Sequence, residues 1–172
     1  MHRVAGSWPG SGAALLDPVL TPLPAPVAPG TQALFRLWRE AKAGGAEDIP
    51  DRDAFSIDAL KRIGVLGHEF VIEPIDGGRD WRYRLVGADI VWMFGHDPTG
   101  IPFTKHFVPF EAEKCIAFSN QVAQSRQPVF LRARFVSEGH SASLLETMSL
   151  PVWSRGRKEI WLIGASFPVE GE

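Results

Sequence analysis

The architecture of this chain is most readable in one stretch, Trp81-Arg-Tyr-Arg-Leu-Val-Gly-Ala-Asp-Ile-Val-Trp-Met-Phe-Gly-His-Asp-Pro-Thr-Gly100. Up to Val86, apolar side chains alternate with arginines, which is the two-residue period of a half-buried strand. Gly87 breaks that period, and the apolar residues between positions 90 and 94 then share one side of a short helix. Gly95 supplies a left-handed stop. The stretch therefore predicts a strand, a short helix and a turn in direct succession.

This order resembles the PAS-type sensor domain, and the residues Tyr83-Arg-Leu-Val-Gly87, Phe94-Gly95, Asp97 and Gly100 resemble the alphaproteobacterial subfamily called PAS_5. The resemblance covers residues 34–167. It implies an α+β PAS fold with a five-stranded antiparallel sheet in the order 2-1-5-4-3, helices on one face and an N-terminal flanking amphipathic helix. These motifs specify turns and not chemistry, so they indicate architecture more clearly than activity. Asp97 is expected to cap a further helical turn that opens with Pro98.

Composition limits the classes of protein that fit. The chain has 172 residues, of which 45% are hydrophobic, and this predicts one globular domain with a single core. A formal net charge of -2 argues against binding to nucleic acid or to a membrane surface through bulk charge. The lone Cys115 forms no intramolecular disulfide, which favours a reducing cytoplasm.

Three regions follow from the distribution of prolines and apolar residues. Residues 1–30 are Pro-rich and are predicted to be a disordered arm. Residues 31–45 are predicted to be a flanking helix that Thr31 caps, and residues 46–169 a PAS domain. An apolar stripe on the helix, Leu34, Leu37 and Trp38, is expected to form a homodimer interface with the outer face of the last strands. The alternative is that this helix packs on its own domain.

The remaining elements follow from turn residues and periodicity. Ser56 is expected to cap a short helix that ends at Gly64. The strand at 67–74 is expected to pair with the Trp81 strand through the hairpin signal of residues 76–78. An irregular connector at 101–109 leads to a helix from about 110 to 125. Runs at 129–136, 143–153 and 159–167 predict a three-stranded meander, and the last run is apolar on both faces, as in a central strand.

Cofactor chemistry finds little support in the residue pattern. His106 is the best candidate for a haem ligand because its connector borders the PAS cavity, but a loop histidine is the simpler interpretation. Cys115 lacks the Asn-Cys-Arg context of flavin-adduct photosensors and is interpreted as a buried structural thiol. We therefore expect no cofactor and no metal site.

Two further alternatives stay open. Tyr83, Asp97 and Glu146 could serve a small cavity enzyme as oxyanion donor and acid or base, although nothing in the sequence brings them together. Asp97 has a rival role as a cap, and Glu146 as a strand residue that bonds a neighbouring loop or an arginine. An arginine face could also grip a phosphate, but PAS strand order places these arginines at opposite edges of the sheet. They are Arg82, Arg84, Arg132 and Arg134.

The function that we expect is a stand-alone sensory or adaptor module that acts by binding and not by catalysis. No output segment is recognisable, so the signal is expected to leave through an unidentified signalling protein. A small apolar ligand is expected between the sheet and the helices at 90–94 and 110–125. The predicted lining residues are Tyr83, Met93, Phe94, Phe103, Phe118, Leu131, Met148 and Ile163.

Overall fold

The computed structural model describes residues 13–15, 21–43, 48–137 and 143–169. The strands are β1 (Ala13–Leu15), β2 (Thr21–Leu23), β3 (Glu69–Ile75), β4 (Asp80–Val86), β5 (Val129–Ser137), β6 (Ser143–Trp153) and β7 (Ile160–Pro168). The helices are α1 (Pro29–Ala43), α2 (Ile57–Arg62), α3 (Ala88–Phe94), α4 (Phe103–His106) and α5 (Pro109–Ser125). Within these ranges, no helix is long and apolar enough to cross a membrane.

The five long strands form one antiparallel sheet in the order β4-β3-β7-β6-β5. This is the predicted order 2-1-5-4-3, and the predicted α+β PAS fold is confirmed. The hairpin between β3 and β4 turns through residues 76–78, where Gly77 adopts a φ of 70°. β7 lies between β6 and β3, as its two apolar faces predict.

The sheet is wider than predicted. In the part of the chain that the structure describes, β1 and β2 also pair with β5, which makes seven strands. Residues 21–23 were predicted to lie in a disordered arm. They are ordered because β5 otherwise presents unpaired backbone groups at the sheet edge, and Pro22 is tolerated since an edge strand does not need every N–H. The rest of the predicted arm before residue 21, apart from β1, lies outside the described residues.

Helices cover both faces of the sheet. On the face that we call inner, α3, α4 and α5 pack over Phe70, Ile72 and Leu162. On the outer face, α1 and α2 pack over Val71, Ile163 and other side chains of the same strands. The flanking helix α1 therefore covers the outer face as expected, and it shares that face with α2, whose Leu60 is also buried there.

The position of α1 corrects the predicted dimer interface. Leu34 is fully buried and Trp38 is 3% exposed, both against the outer face of the same chain, while Leu37 is partly buried at the margin. Leu34 and Trp38 therefore cannot face a second subunit unless α1 detaches. No second subunit is needed to cover the outer apolar surface, because α2 and Phe55 extend the cover beside α1. A homodimer as such stays a prediction.

Most of the predicted caps and turns are confirmed, but Thr31 does not cap α1. It lies inside the helix, and its hydroxyl donates to the Ala28 carbonyl and to Glu146. The Ser56 hydroxyl caps α2 by accepting from Ala59 N–H at 3.1 Å, and Gly95 ends α3 in the left-handed conformation. The connector after Gly100 is not wholly irregular, because α4 forms in it. Asp97 caps no helix: its carboxylate instead accepts from the Thr99 N–H at 3.0 Å and closes a local turn.

Candidate functional site

A cavity lies between the inner face of the sheet and the helices α3, α4 and α5, with a volume of about 160 Å³. Apolar cavities of roughly 150 Å³ hold a benzene ring. The space therefore suits one aromatic ring, and the much larger ring systems of a flavin or a haem do not fit it.

Aromatic rings form one wall of the cavity. The Tyr83 ring on β4 packs against Phe70, Phe94 and Phe103, with ring centroids 6.0, 6.1 and 5.4 Å away. Such tilted and edge-to-face pairs stabilise aromatic clusters beyond the area that they bury. Burial raises the pKa of the Tyr83 hydroxyl far above its ordinary value, and the nearby Cys115 adds to the effect. The hydroxyl therefore stays neutral at physiological pH.

Hydroxyl groups of the sheet line another part of the cavity. The Ser166 hydroxyl of β7 donates to Thr147 Oγ1 of β6 at 2.9 Å, and both residues border the cavity with Ser149. On α5, the Ser119 hydroxyl donates to the carbonyl of Cys115 at 2.7 Å. Three of these hydroxyl groups thus bond to protein atoms, which keeps this side of the cavity compatible with an apolar ligand.

Three titratable residues of α5 also border the cavity, Glu111, Lys114 and Cys115. Burial raises the pKa of the Cys115 thiol to about 12, and the Glu111 carboxylate contributes in the same direction. A thiol with this pKa is not a nucleophile at neutral pH, which agrees with a structural cysteine. Burial likewise raises the pKa of Glu111, although the Lys114 cation lowers it in part.

The structure places seven of the eight predicted lining residues along this cavity. They are Tyr83, Met93, Phe94, Phe103, Phe118, Leu131 and Met148. Met148 also packs in the outer cluster. Ile163 is the exception, because its side chain points to the outer face and packs with Leu34 and Trp38. Ligand binding by the seven residues remains a prediction.

Sequence reasoning missed Glu111 as a lining residue. A glutamate in the first turn of a helix is typical of a solvent-exposed residue that the helix dipole favours. Its position directly after Phe110 and four residues before Cys115 was the available signal, since positions i and i+4 share a helix face. Because Cys115 is interpreted as a buried thiol, Glu111 on the same helix face is expected to be buried too, and both line the cavity.

The three residues of the enzyme alternative do not meet. Tyr83 borders the cavity on the inner face, and Asp97 is exposed in its turn. Glu146 is fully buried, where it accepts hydrogen bonds from the backbone of Val27 and Ala28 at the start of α1. That contact lies on the outer face. It agrees with the interpretation of Glu146 as a strand residue that bonds a neighbouring loop.

Two of the histidines, His96 and His106, form a pair beside the cavity and do not line it. His96 Nε2 lies 3.4 Å from His106 Nδ1, and the His106 ring packs against Phe94 and Phe107. Burial lowers the pKa of His106 to about 4, and His96 contributes. His106 does not line the cavity, so it is not placed to bind a haem iron there. Across the described ranges, no group of three or more His, Cys, Asp or Glu side chains is placed to hold a metal ion.

The two arginine pairs lie apart, as strand order predicts. One pair is on β4 and the other on β5, which are the two outermost of the five long strands. Arg82 and Arg84 pair with the Glu73 carboxylate at 2.8 and 3.5 Å. The Arg84 guanidinium also lies over the Trp161 ring at 4.6 Å. These contacts hold the edge of the outer face and leave no continuous arginine surface for a phosphate.

Comparison with known families agrees with the geometry. The model of the family PAS_5, described as a PAS domain, matches residues 27–166. This chain belongs to the PAS_5 family of PAS domains. The match begins before α1, so the PAS_5 match includes the helix that covers the outer face. No curated protein matches the chain significantly. Membership of the family indicates a sensory or signalling module.

Proposed function

We propose that this PAS domain is a sensory or adaptor module that binds one small apolar molecule in its cavity and signals through a partner protein, without catalysis. The observation that carries the proposal is the cavity of about 160 Å³ between the sheet and three helices. Rings and aliphatic side chains make up most of its wall, and such a wall favours an apolar ligand through the hydrophobic effect.

The states of the residues considered for catalysis support binding over catalysis. Tyr83 is held neutral by burial, and Cys115 is held as a thiol with a pKa of about 12. Asp97 and Glu146 have structural hydrogen bonds elsewhere. Glu111 is the remaining acid of the cavity, and its most direct role is to contact a ligand.

The helix α3 offers a path from the cavity to the surface. Met93 and Phe94 line the cavity, while the neighbouring Trp92 is 67% exposed. Phe110, at the start of α5, is 56% exposed next to the cavity residue Glu111. A ligand that shifts α3 or α5 would therefore move an exposed aromatic ring, and exposed aromatic residues are enriched in protein interfaces. We propose that the signalling partner contacts this side of the domain.

Two expectations accompany the proposal. A cytoplasmic location suits a chain with a single cysteine. A homodimer also suits the family, but its interface would have to use surfaces other than those of Leu34 and Trp38, which α1 buries in its own chain.

Mass spectrometry of small molecules extracted from the purified protein tests the proposal. We expect the wild type to carry a molecule of one-ring size that the variant Ala133→Leu lacks. Ala133 lies on the cavity wall and is 2% exposed, so leucine adds three carbon atoms to the space that a ligand would fill. Recovery of the extracted molecule unchanged after incubation with the protein supports binding without catalysis. Equal recovery from the wild type and the variant would contradict a cavity site.

A further inference from the structure

One buried carboxylate borders the cavity at the start of α5. Glu111 lies in the first turn of α5, is 4% exposed and lines the cavity. Its Oε1 atom is buried and has no hydrogen-bond partner among the described residues. Burying a carboxylate oxygen without a partner is costly, so native proteins seldom leave one unsatisfied. The missing partner is a hydrogen-bond donor.

None of the neighbouring described side chains donates a hydrogen bond to this oxygen. Cys115, one turn along α5, is a thiol and therefore a weak donor. Lys114 also lines the cavity and its charge lowers the pKa of Glu111 in part, but its ammonium lies over the Phe110 ring at 4.6 Å and makes no hydrogen bond to Oε1. Across the cavity, the Ser166 hydroxyl donates to Thr147. Glu111 Oε1 is thus a buried carboxylate oxygen without a partner at the cavity, and a carboxylate is a stronger acceptor for a ligand donor than the hydroxyl groups around it.

Size and chemistry together define the ligand class. The volume of about 160 Å³ suits one ring, and the aromatic wall around Tyr83 suits an aromatic one. A ring without a polar group would leave Glu111 Oε1 buried and unpaired. A carboxylate on the ring would place a second anion beside Glu111. A hydroxyl or N–H group on the ring satisfies the oxygen.

We propose that Glu111 Oε1 accepts a hydrogen bond from a single-ring aromatic ligand that carries a hydroxyl or N–H donor, the chemical class of phenols and anilines. This inference rests on the proposed function, because it assigns the ligand of the same cavity. It adds the residue that distinguishes a phenol from a hydrocarbon of equal size.

Isothermal titration calorimetry with phenol and toluene tests the inference, since these probes match in size and differ in the hydroxyl group. In water phenol is the better hydrated of the two, so an apolar cavity with no hydrogen bond to offer would prefer toluene. We expect the wild type to bind phenol at least as tightly as toluene. A strong preference of the wild type for toluene would overturn the inference without any variant.

Substitution of Glu111 then assigns the preference to this residue. Glu111→Met is unbranched and of similar length but cannot accept, so the ratio of phenol to toluene affinity should fall about ten- to a hundredfold. Glu111→Gln keeps an uncharged acceptor and should lose less of the ratio. Comparing ratios removes the difference in hydration of the probes and any general change in the cavity.

The outcomes separate this inference from the proposed function. If Glu111→Met binds toluene and its ratio of phenol to toluene affinity is unchanged, the cavity site is supported and the role of Glu111 is overturned. Binding of neither probe to the wild type overturns both proposals. If Glu111→Met fails to fold, the wild-type preference and the Glu111→Gln ratio still decide, because a hydrogen bond to a carboxylate is stronger than one to an amide.

Discussion

The Trp38 indole N–H of α1 donates a 2.9 Å hydrogen bond to the backbone carbonyl of Pro151 in β6. The two residues are 113 positions apart, and the bond is buried. It joins the flanking helix to the second strand of the meander with a fixed geometry, which hydrophobic contact alone would not provide. The helix is thereby an integral cover of the sheet and not an element kept for a second subunit.

Substitution of two leucines of α1 tests whether this helix covers its own domain or forms a dimer interface. Leu34→Asp should lower the free energy of unfolding by about 4 kcal/mol or more, because it buries an unpaired charge. Leu37→Asp, at the partly buried margin, should cost about 1 kcal/mol and leave the native mass in solution unchanged. Urea unfolding and light scattering after gel filtration measure the two effects. A Leu37→Asp protein that is a folded monomer beside a dimeric wild type would restore the helix as an interface.

Glu146 is predicted to hold the start of α1. Its carboxylate accepts from Val27 N–H at 2.7 Å and from Ala28 N–H at 3.0 Å, and the Thr31 hydroxyl donates to it as well. Glu146→Leu leaves these buried donors unpaired and should lower the free energy of unfolding by about 3 kcal/mol. Glu146→Gln retains an acceptor and should cost less.

The control for Glu146 is Glu40→Gln on the exposed side of α1, which should change stability by less than about 0.5 kcal/mol. Urea unfolding of the three variants measures the series. Equal small effects for Glu146→Leu and Glu40→Gln would show that α1 does not depend on this contact.

His106 is predicted to make stability depend on pH in the acid range. Burial and the neighbouring His96 lower its pKa to about 4 in the folded chain, against an ordinary value near 6.5. Between these values the unfolded state binds more protons, so stability is retained above about pH 6.5 and falls as the pH drops toward 4. The full loss is about 3 kcal/mol.

Urea unfolding at several pH values checks the effect, with His106→Gln as the variant that cannot titrate. The fall in stability between pH 7 and pH 4.5 should be smaller in the variant by about 2 kcal/mol. Glu111 acts in the opposite direction, because its pKa is raised, but it is present in both proteins and cancels in the comparison. Identical pH profiles would mean that His106 is not held neutral by the fold.

The turns and strand order were predictable because they depend on local geometry. Gly87 illustrates this, since a Cβ atom there would collide with the backbone of Gly67. A glycine at the point where the two-residue period of a strand ends therefore marks a close approach of two backbone segments. Gly95 similarly adopts the left-handed conformation that ends α3.

The features that were missed depend on tertiary contacts. β7 is apolar on both sides, so the sequence does not say which face Ile163 joins, and the register with β6 places it outside the cavity. Thr21–Leu23 is a strand only because β5 is there to pair with it. Glu111 has the pattern of a surface residue, and its burial follows from the packing of α5 on the sheet.

The central claim, that the cavity takes one small apolar molecule, is tested most directly by titrating the ¹⁵N-labelled protein with toluene and recording amide shifts by NMR. We predict saturable shifts at residues around the cavity, such as Tyr83 and Phe118, and little change at Leu34 on the outer face. A folded Ala133→Leu protein should lose these shifts because the leucine occupies the space. Shifts that do not saturate in the wild type, or that persist equally in Ala133→Leu, would contradict the account.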